Sequence, residues 1–197
     1  APEPRELPGE HPRIGSHFCG VVMVGNSRPI AVFIGMPASG KSKIAKRVAK
    51  RLDAPLIDVD KVIVADHGEI VDIFDTHGEA HFRALEREAV KQALATHSVV
   101  SLGGGAILNV DTQHDLASLP VVLLTVSEAA VADRFGDRKR PLLRGGLDAW
   151  RKLTAERTEI YERLADVSFD TSSRPLDQIA DEIADWVRAG YTVGGSA

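Results

Sequence analysis

Cysteine is almost absent from this sequence, since Cys19 is the only one among 197 residues. A single cysteine excludes an intrachain disulfide, a zinc site built from cysteines and the disulfide framework of a small secreted domain. The longest apolar stretch that resembles a targeting segment, residues 18–24, is too short to cross a bilayer and is not followed by a small-residue cleavage site. Both observations favour a cytoplasmic protein.

A large excess of one charge is also missing, and aromatic residues are few. The formal net charge is −4, and 5% of the residues are aromatic. The chain therefore has no general attraction to nucleic acid or to an anionic membrane, and it offers few side chains on which bases could stack. With 44% hydrophobic and 26% charged residues, the composition is that of an ordinary globular protein. We expect a monomer with small-molecule partners, without nucleic acid or membrane binding.

Apolar runs of strand length alternate with helix-period stretches from residue 30 onward. This alternation is typical of an α/β fold, with a parallel sheet flanked by helices on both faces. The five predicted strands are residues 30–34, 56–58, 99–102, 121–125 and 167–170, and the predicted helices are residues 42–52, 78–95, 128–135, 149–164 and 175–189.

The composition near the two ends of the sequence predicts the boundaries of the domain. We expect a flexible N-terminal extension over residues 1–28, one domain over residues 29–190 and a flexible tail over residues 191–197. Within the domain, glycines bracket a cation-rich segment that suits a mobile lid at about residues 136–148.

A phosphate-binding loop follows the first predicted strand. Residues 35–42 read G-M-P-A-S-G-K-S, which fits G-x-x-x-x-G-K-[ST], and a predicted helix follows at once. In this pattern backbone N–H groups surround a polyphosphate, Lys41 reaches the β- and γ-phosphates, and the hydroxyl of Ser42 ligates Mg²⁺. The N-terminus of the following helix favours the same anion. The sequence therefore predicts nucleotide binding.

Two further signals follow predicted strands, at the edge of the sheet where α/β proteins bind ligands. Asp58 and Asp60 end the second strand, where one carboxylate can hold a metal through water and the other can reach an attacking hydroxyl. An acidic helix cap is the alternative reading of this pair. Residues 103–105 are three consecutive glycines after the third strand, where backbone N–H groups can approach a ligand that any Cβ would exclude.

Arginines form the third signal, because guanidinium groups bind carboxylates and phosphates through two hydrogen bonds. They can serve the nucleotide, the transferred group or an acidic substrate. The candidates are Arg83, Arg140 and Arg157, with Arg134 and Arg174 further out.

Six motifs together resemble the shikimate kinase family. They are the phosphate loop, L-I-D-V-D at residues 56–60, F-R-x-L-E at 82–86, S-L-G-G-G-A at 101–106, R-P-L-L at 140–143 and E-R-T-E-I-Y at 156–161. They occur in the order and spacing of that family over about residues 30–187. The resemblance implies a P-loop kinase fold with a mobile lid, and ATP-dependent phosphorylation of the 3-hydroxyl of shikimate.

The resemblance also implies a role for each matching residue. The ATP phosphates would be held by Ala38, Ser39, Gly40, Lys41, Ser42 and Lys43, with one Mg²⁺ on Ser42 and, through water, on Asp58. Asp60 would be the base beside the 3-hydroxyl, and the lid residue Arg140 would bind the phosphates. Shikimate would contact Asp60, Arg83, Gly103, Gly104, Gly105, Arg157, Phe74 and Phe82, and adenine would lie between Arg134 and Arg174.

The chain departs from the family at the phosphate loop, where Ala38 replaces a common glycine and Lys43 a common threonine; neither change removes a required donor. Alternatives stay open. Another small-molecule kinase of the same fold, such as a gluconate kinase, leaves the glycines and Arg83 unexplained, and a nucleoside monophosphate kinase needs a base-reading pocket. A regulatory nucleotide-binding module without catalysis would not need Asp60.

Overall fold

The computed structural model describes residues 28–136 and 146–190, which form a sheet of five parallel strands. The strands are β1 (Ala31–Gly35), β2 (Leu56–Asp58), β3 (Val99–Ser101), β4 (Val121–Thr125) and β5 (Val167–Asp170), in the spatial order β2-β3-β1-β4-β5. The phosphate loop therefore leaves the central strand, and the ends of β2 and β3 lie on one side of it. The predicted fold class is confirmed, and every predicted strand is present to within one residue at each end.

Seven α-helices lie in the described part of the chain. They are α1 (Lys41–Arg51), α2 (Val59–His67), α3 (Ile70–Leu94), α4 (Val110–Leu116), α5 (Glu128–Gly136), α6 (Gly146–Leu164) and α7 (Leu176–Arg188), and a short 3-10 turn spans Ala106–Leu108. None of the helices in these residues is long and apolar enough to cross a membrane.

Side chains of β1 to β4 enter two separate cores in alternation, whereas β5 packs against only one of them. Ala31 and Phe33 of β1 pack with α1 and α7, whereas Val32 and Ile34 pack with α2, α3, α4 and α6 on the opposite face. All four of these side chains are at most 1% exposed. This burial on both faces explains why β1 and β4 read as continuous apolar runs in the sequence.

Several helix predictions were wrong. The prediction missed α2 and α4, and α3 begins at Ile70 rather than at residue 78. Residue 78 is instead a kink inside α3, where Gly78 has φ of 82°. The lid at about residues 136–148 stays a prediction; Gly136 ends α5, and residues 146–148 belong to α6. The centre of the predicted lid, residues 137–145, lies outside the described residues, as do the predicted extension up to residue 27 and the predicted tail.

Candidate active site

The phosphate loop joins β1 to α1 at the carboxyl end of the central strand. Gly40 caps α1 with φ of 84°, a left-handed conformation that glycine adopts without steric cost. Lys41 donates from Nζ to the carbonyl oxygens of Gly35 at 2.8 Å and Met36 at 3.1 Å. Burial lowers the pKa of Lys41 to about 8, although the carboxylates of Asp60 and Asp58 oppose this shift. A desolvated cation at a helix N-terminus is well suited to a polyphosphate.

The loop is fixed through its carbonyl oxygens. Apart from the two that Lys41 contacts, three successive carbonyls accept bonds from distant side chains: Pro37 from Trp150 at 3.0 Å, Ala38 from Arg134 at 2.6 Å and Ser39 from Thr171 at 2.9 Å. An anionic ligand has no use for carbonyl oxygens, so these bonds hold the loop without occupying the groups that would bind phosphate.

Two carboxylates stand at the junction of β2 and α2. Asp58 accepts a bond at Oδ1 from the N–H of Lys61 at 3.4 Å and so caps α2, while its buried Oδ2 has no hydrogen-bond partner among the described residues. The helix-cap reading and the ligand reading of Asp58 are therefore compatible. Burial and the nearby charge of Asp58 raise the pKa of Asp60, against the opposing effects of Lys41 and Arg83. A raised pKa suits Asp60 to accept a proton.

The glycine segment after β3, residues 103–105, lets charged side chains of the protein itself approach the backbone. A Cβ on Gly103 would lie 2.6 Å from Oδ1 of Asp60 and 2.8 Å from Oε1 of Glu86, and a Cβ on Gly105 would collide with the guanidinium of Arg83. A side chain at either position would therefore force these charged groups to shift, even before a ligand binds.

Gly104 serves a different purpose. A Cβ there would make ordinary contacts of 3.7 Å with Pro37 and 3.8 Å with Arg157. The carbonyl oxygen of Gly104 accepts a bond from Nη1 of Arg157 at 3.0 Å. Arg157 is only 8% exposed, and its buried Nε has no hydrogen-bond partner in residues 28–136 and 146–190. A buried guanidinium with an N–H group that lacks an acceptor is suited to an anionic ligand.

Arg83 is more fully paired. It contacts Glu86 at 2.6 Å and Glu79 at 3.2 Å. The side chain of Glu86 is 5% exposed, and burial raises its pKa against the opposing effect of Arg83. Glu86 was missed as a site residue, although its spacing of three residues from Arg83 on a predicted helix was a usable signal.

A cavity of about 990 Å³ connects the phosphate loop to the charged side chains. Its volume is large enough for two small ligands. Of the predicted site residues, the cavity is lined by Ala38, Gly40, Lys41, Ser42, Lys43, Asp60, Phe82, Arg83, Gly104, Gly105, Arg134, Arg157 and Arg174. The structure thus brings the predicted nucleotide and acid-binding residues to one hollow.

The other predicted residues occupy different positions. Ser39 is fully buried within the loop, and Phe74 packs on Phe82 with ring centroids 4.7 Å apart. Neither belongs to the cavity lining, nor do the buried Asp58 and Gly103. Arg140 lies outside the described residues.

The two arginines predicted beside adenine line the cavity but already have protein partners. Arg134 donates to the carbonyl oxygens of Ala38 and Thr171, so it joins the phosphate loop to the segment after β5. Arg174 pairs with Glu182 of α7.

The residues present fit a hard divalent cation that is bound together with a nucleotide. The unpaired Oδ2 of Asp58 and the hydroxyl of Ser42 are oxygen donors, which such cations prefer. In the described part of the chain, no group of three or more His, Cys, Asp or Glu side chains could hold a metal. A site with few protein ligands is typical of an ion that also takes phosphate oxygens.

A phosphate loop with its lysine, a pair of carboxylates at the junction of β2 and α2, and guanidiniums that line the same cavity as the lysine define a P-loop kinase of small molecules. Comparisons with known proteins agree. The family model described as shikimate kinase matches residues 37–188. The shikimate kinase of Thermobifida fusca is 48% identical over 163 residues, covering 81% of this chain and 95% of the relative.

Solved structures give the same fold. The shikimate kinase of Aquifex aeolicus matches with a TM-score of 0.69 at 31% identity, covering 83% of this chain and 99% of that one. The enzyme of Acinetobacter baumannii, solved in complex with shikimate, matches with a TM-score of 0.73 at 22% identity, covering 83% and 94%. This chain belongs to the shikimate kinase family, and it is therefore an ATP-dependent phosphotransferase.

Proposed function

We propose that this protein transfers the γ-phosphoryl group of ATP to the 3-hydroxyl of shikimate, giving shikimate 3-phosphate and ADP, in the cytoplasm. The reaction belongs to chorismate and aromatic amino acid biosynthesis. Family membership supports the reaction, and one observation carries it to this chain: the incompletely paired, buried Arg157 lines the same cavity as Lys41 and Asp60. An acidic substrate bound by Arg157 would therefore share one cavity with the nucleotide.

At the phosphate end, Lys41 and the loop residues 38–43 hold the phosphates of ATP. Arg134 and Arg174 flank the adenine, and Arg140, by its match to the family motif, binds the phosphates from the lid. Ser42 and, through water, Asp58 hold the divalent cation, which we propose to be a single Mg²⁺. When bound, the cation offsets charge on the phosphate oxygens.

At the acceptor end, Arg157 and Arg83 bind the carboxylate of shikimate. Arg83 must share its N–H groups between this carboxylate and Glu86, which holds the guanidinium in place at 2.6 Å. Gly104 and Phe82 lie along the ring, with Phe74 supporting Phe82 from behind. Asp60 orients the 3-hydroxyl and accepts its proton, a role that its raised pKa supports.

Phosphoryl transfer needs mainly alignment and charge compensation from the protein. Lys41 supplies positive charge at the transferred group, and Asp60 aligns the attacking oxygen. A closed lid would keep water away from the γ-phosphate, so that ATP is not hydrolysed instead.

Replacing Arg157 by alanine tests the proposed acid site. Loss of one partner from a buried charged contact costs about 2–5 kcal/mol, so we expect the KM for shikimate to rise about 10²-fold or more. The KM for ATP should change little, since only one ligand loses its contact. Arg163→Ala is the matched control, because Arg163 is an exposed residue of the same helix, bonded to Gln113. Equal weakening of both substrates by Arg157→Ala would refute the assignment.

A further inference from the structure

The hydroxyl of Tyr161 lies between the start of the phosphate loop and the glycine segment. Tyr161 lies in α6 and is 1% exposed. Its Oη is 3.0 Å from the carbonyl oxygen of Gly35 and 2.6 Å from that of Gly104. Gly35 begins the phosphate loop, and Gly104 is the centre of the glycine segment. A phenol carries one proton, so it can donate fully to only one of these carbonyls at a time.

The carbonyls of Gly35 and Gly104 each accept a bond from a second donor, and each of these donors is a residue that we expect to bind a ligand. Nζ of Lys41 donates to Gly35 at 2.8 Å, and Nη1 of Arg157 donates to Gly104 at 3.0 Å. Without ligands, both carbonyls are therefore served wherever the proton of Tyr161 points. Burial raises the pKa of Tyr161 to about 12, so the hydroxyl keeps its proton near neutral pH.

We propose that Tyr161 is a positioning residue that couples the two ligand sites, because its single proton replaces whichever donor a ligand draws away. When a phosphate draws Lys41 from Gly35, the hydroxyl turns to Gly35. When a carboxylate draws Arg157 from Gly104, it turns to Gly104. With both ligands bound, one proton faces two carbonyls, and the second ligand to bind leaves one carbonyl without its donor.

This coupling makes a specific prediction for Tyr161→Phe. In the wild type, the first ligand leaves neither Gly35 nor Gly104 without a donor, because Tyr161 compensates, and the second ligand bears the loss of one of these hydrogen bonds. In the variant, each ligand bears that loss independently. We therefore expect binding of either ligand alone to weaken about tenfold, while binding of the second ligand to the binary complex stays as in the wild type.

Titration calorimetry with ADP and shikimate, each alone and in the presence of the other, measures all four affinities. If Tyr161→Phe binds the first ligand as tightly as the wild type, the proposal is overturned. Equal loss of affinity for the first and the second ligand would also overturn it, because a general packing defect produces that result. Trp150→Phe is the matched control. It removes another α6 donor to the loop, at Pro37. In the described part of the chain, the carbonyl of Pro37 has no second donor that a ligand would draw away, so the ratio of first to second affinity should stay that of the wild type.

A second measurement needs no substitution at Tyr161. The chain has two tyrosines, so Tyr191→Phe protein grown with 3-fluorotyrosine carries one fluorine label, at position 161. ADP alone and shikimate alone should each shift the ¹⁹F resonance, and no shift with either ligand would overturn the proposal. The identity of the acid ligand rests on the proposed function. If shikimate neither binds nor reacts, that function fails while the ADP titrations still test Tyr161.

Discussion

Replacing Gly103 by alanine tests whether the placement of the two carboxylates controls catalysis. The new Cβ would lie 2.6 Å from Oδ1 of Asp60 and 2.8 Å from Oε1 of Glu86, whereas ordinary contact begins at 3.4 Å, so the carboxylate of Asp60 must retreat by about 0.8 Å. A misplacement of about 1 Å at a reacting group costs about 10²-fold in rate. We therefore expect kcat of Gly103→Ala to fall about 10²-fold.

The assay follows ADP release while ATP and shikimate are varied in turn. The KM for ATP should stay near the parent value, because the atoms nearest to the new Cβ at position 103 belong to Asp60 and Glu86 rather than to the phosphate loop. Gly104→Ala is the control, since its Cβ would meet nothing closer than 3.7 Å and leaves Asp60 in place. Its effect should fall on the KM for shikimate. If folded Gly103→Ala keeps kcat within about threefold of the parent, the argument from carboxylate placement is refuted.

Two further predictions concern the phosphate loop. Ala38 has φ of 67°, a conformation that costs a non-glycine residue about 1 kcal/mol. Ala38→Gly should therefore raise the free energy of unfolding, measured in urea, by about that amount, whereas Ala65→Gly on the exposed face of α2 should lower it by about 1 kcal/mol. A lower free energy of unfolding in both variants would contradict the strain at Ala38. Because burial lowers the pKa of Lys41 to about 8, the free protein loses this cation above that pH, and a bound phosphate should restore it. The affinity for ADP should therefore fall above about pH 8, and ADP binding should then be accompanied by uptake of a proton, which calorimetry in buffers of different ionisation enthalpy measures. The pH profile of Lys41→Arg should be flat, and an equally flat profile in the parent protein would contradict the prediction.

Strands β1, β3 and β4 were predictable because each one is a short, mostly apolar run buried on both faces, whereas in β5 only the alternate residues Val167 and Phe169 pack against a core. The short helices were harder. In α2, only Val59 and Ile63 are fully buried, so its apolar period is too brief to distinguish from a loop. The capping by Asp58 was a signal for this helix, but the same aspartate also fits a metal site, and the sequence alone does not separate the two uses.

Part of the site is predictable from residues that lie close together in the sequence, and part depends on contacts between distant residues. The fit of residues 35–42 to a phosphate loop depends on neighbours along the chain, and the structure places this loop before α1 as expected. The hydrogen bond from Tyr161 to Gly35 joins residues 126 positions apart, and the bond from Trp150 to Pro37 joins residues 113 apart. Such pairs are created by the packing of α6 against the sheet, which no local pattern contains.

The central claim is that one cavity presents ATP to shikimate across Asp60. A coupled assay of ADP formation with shikimate, gluconate and nucleoside monophosphates as separate acceptors, with the phosphorylated product identified by NMR, tests it most directly. The account predicts turnover with shikimate, phosphorylated on the 3-hydroxyl, and only background ATP hydrolysis with the other acceptors. Faster turnover with gluconate or a nucleoside monophosphate, or phosphorylation at another position of shikimate, would contradict it.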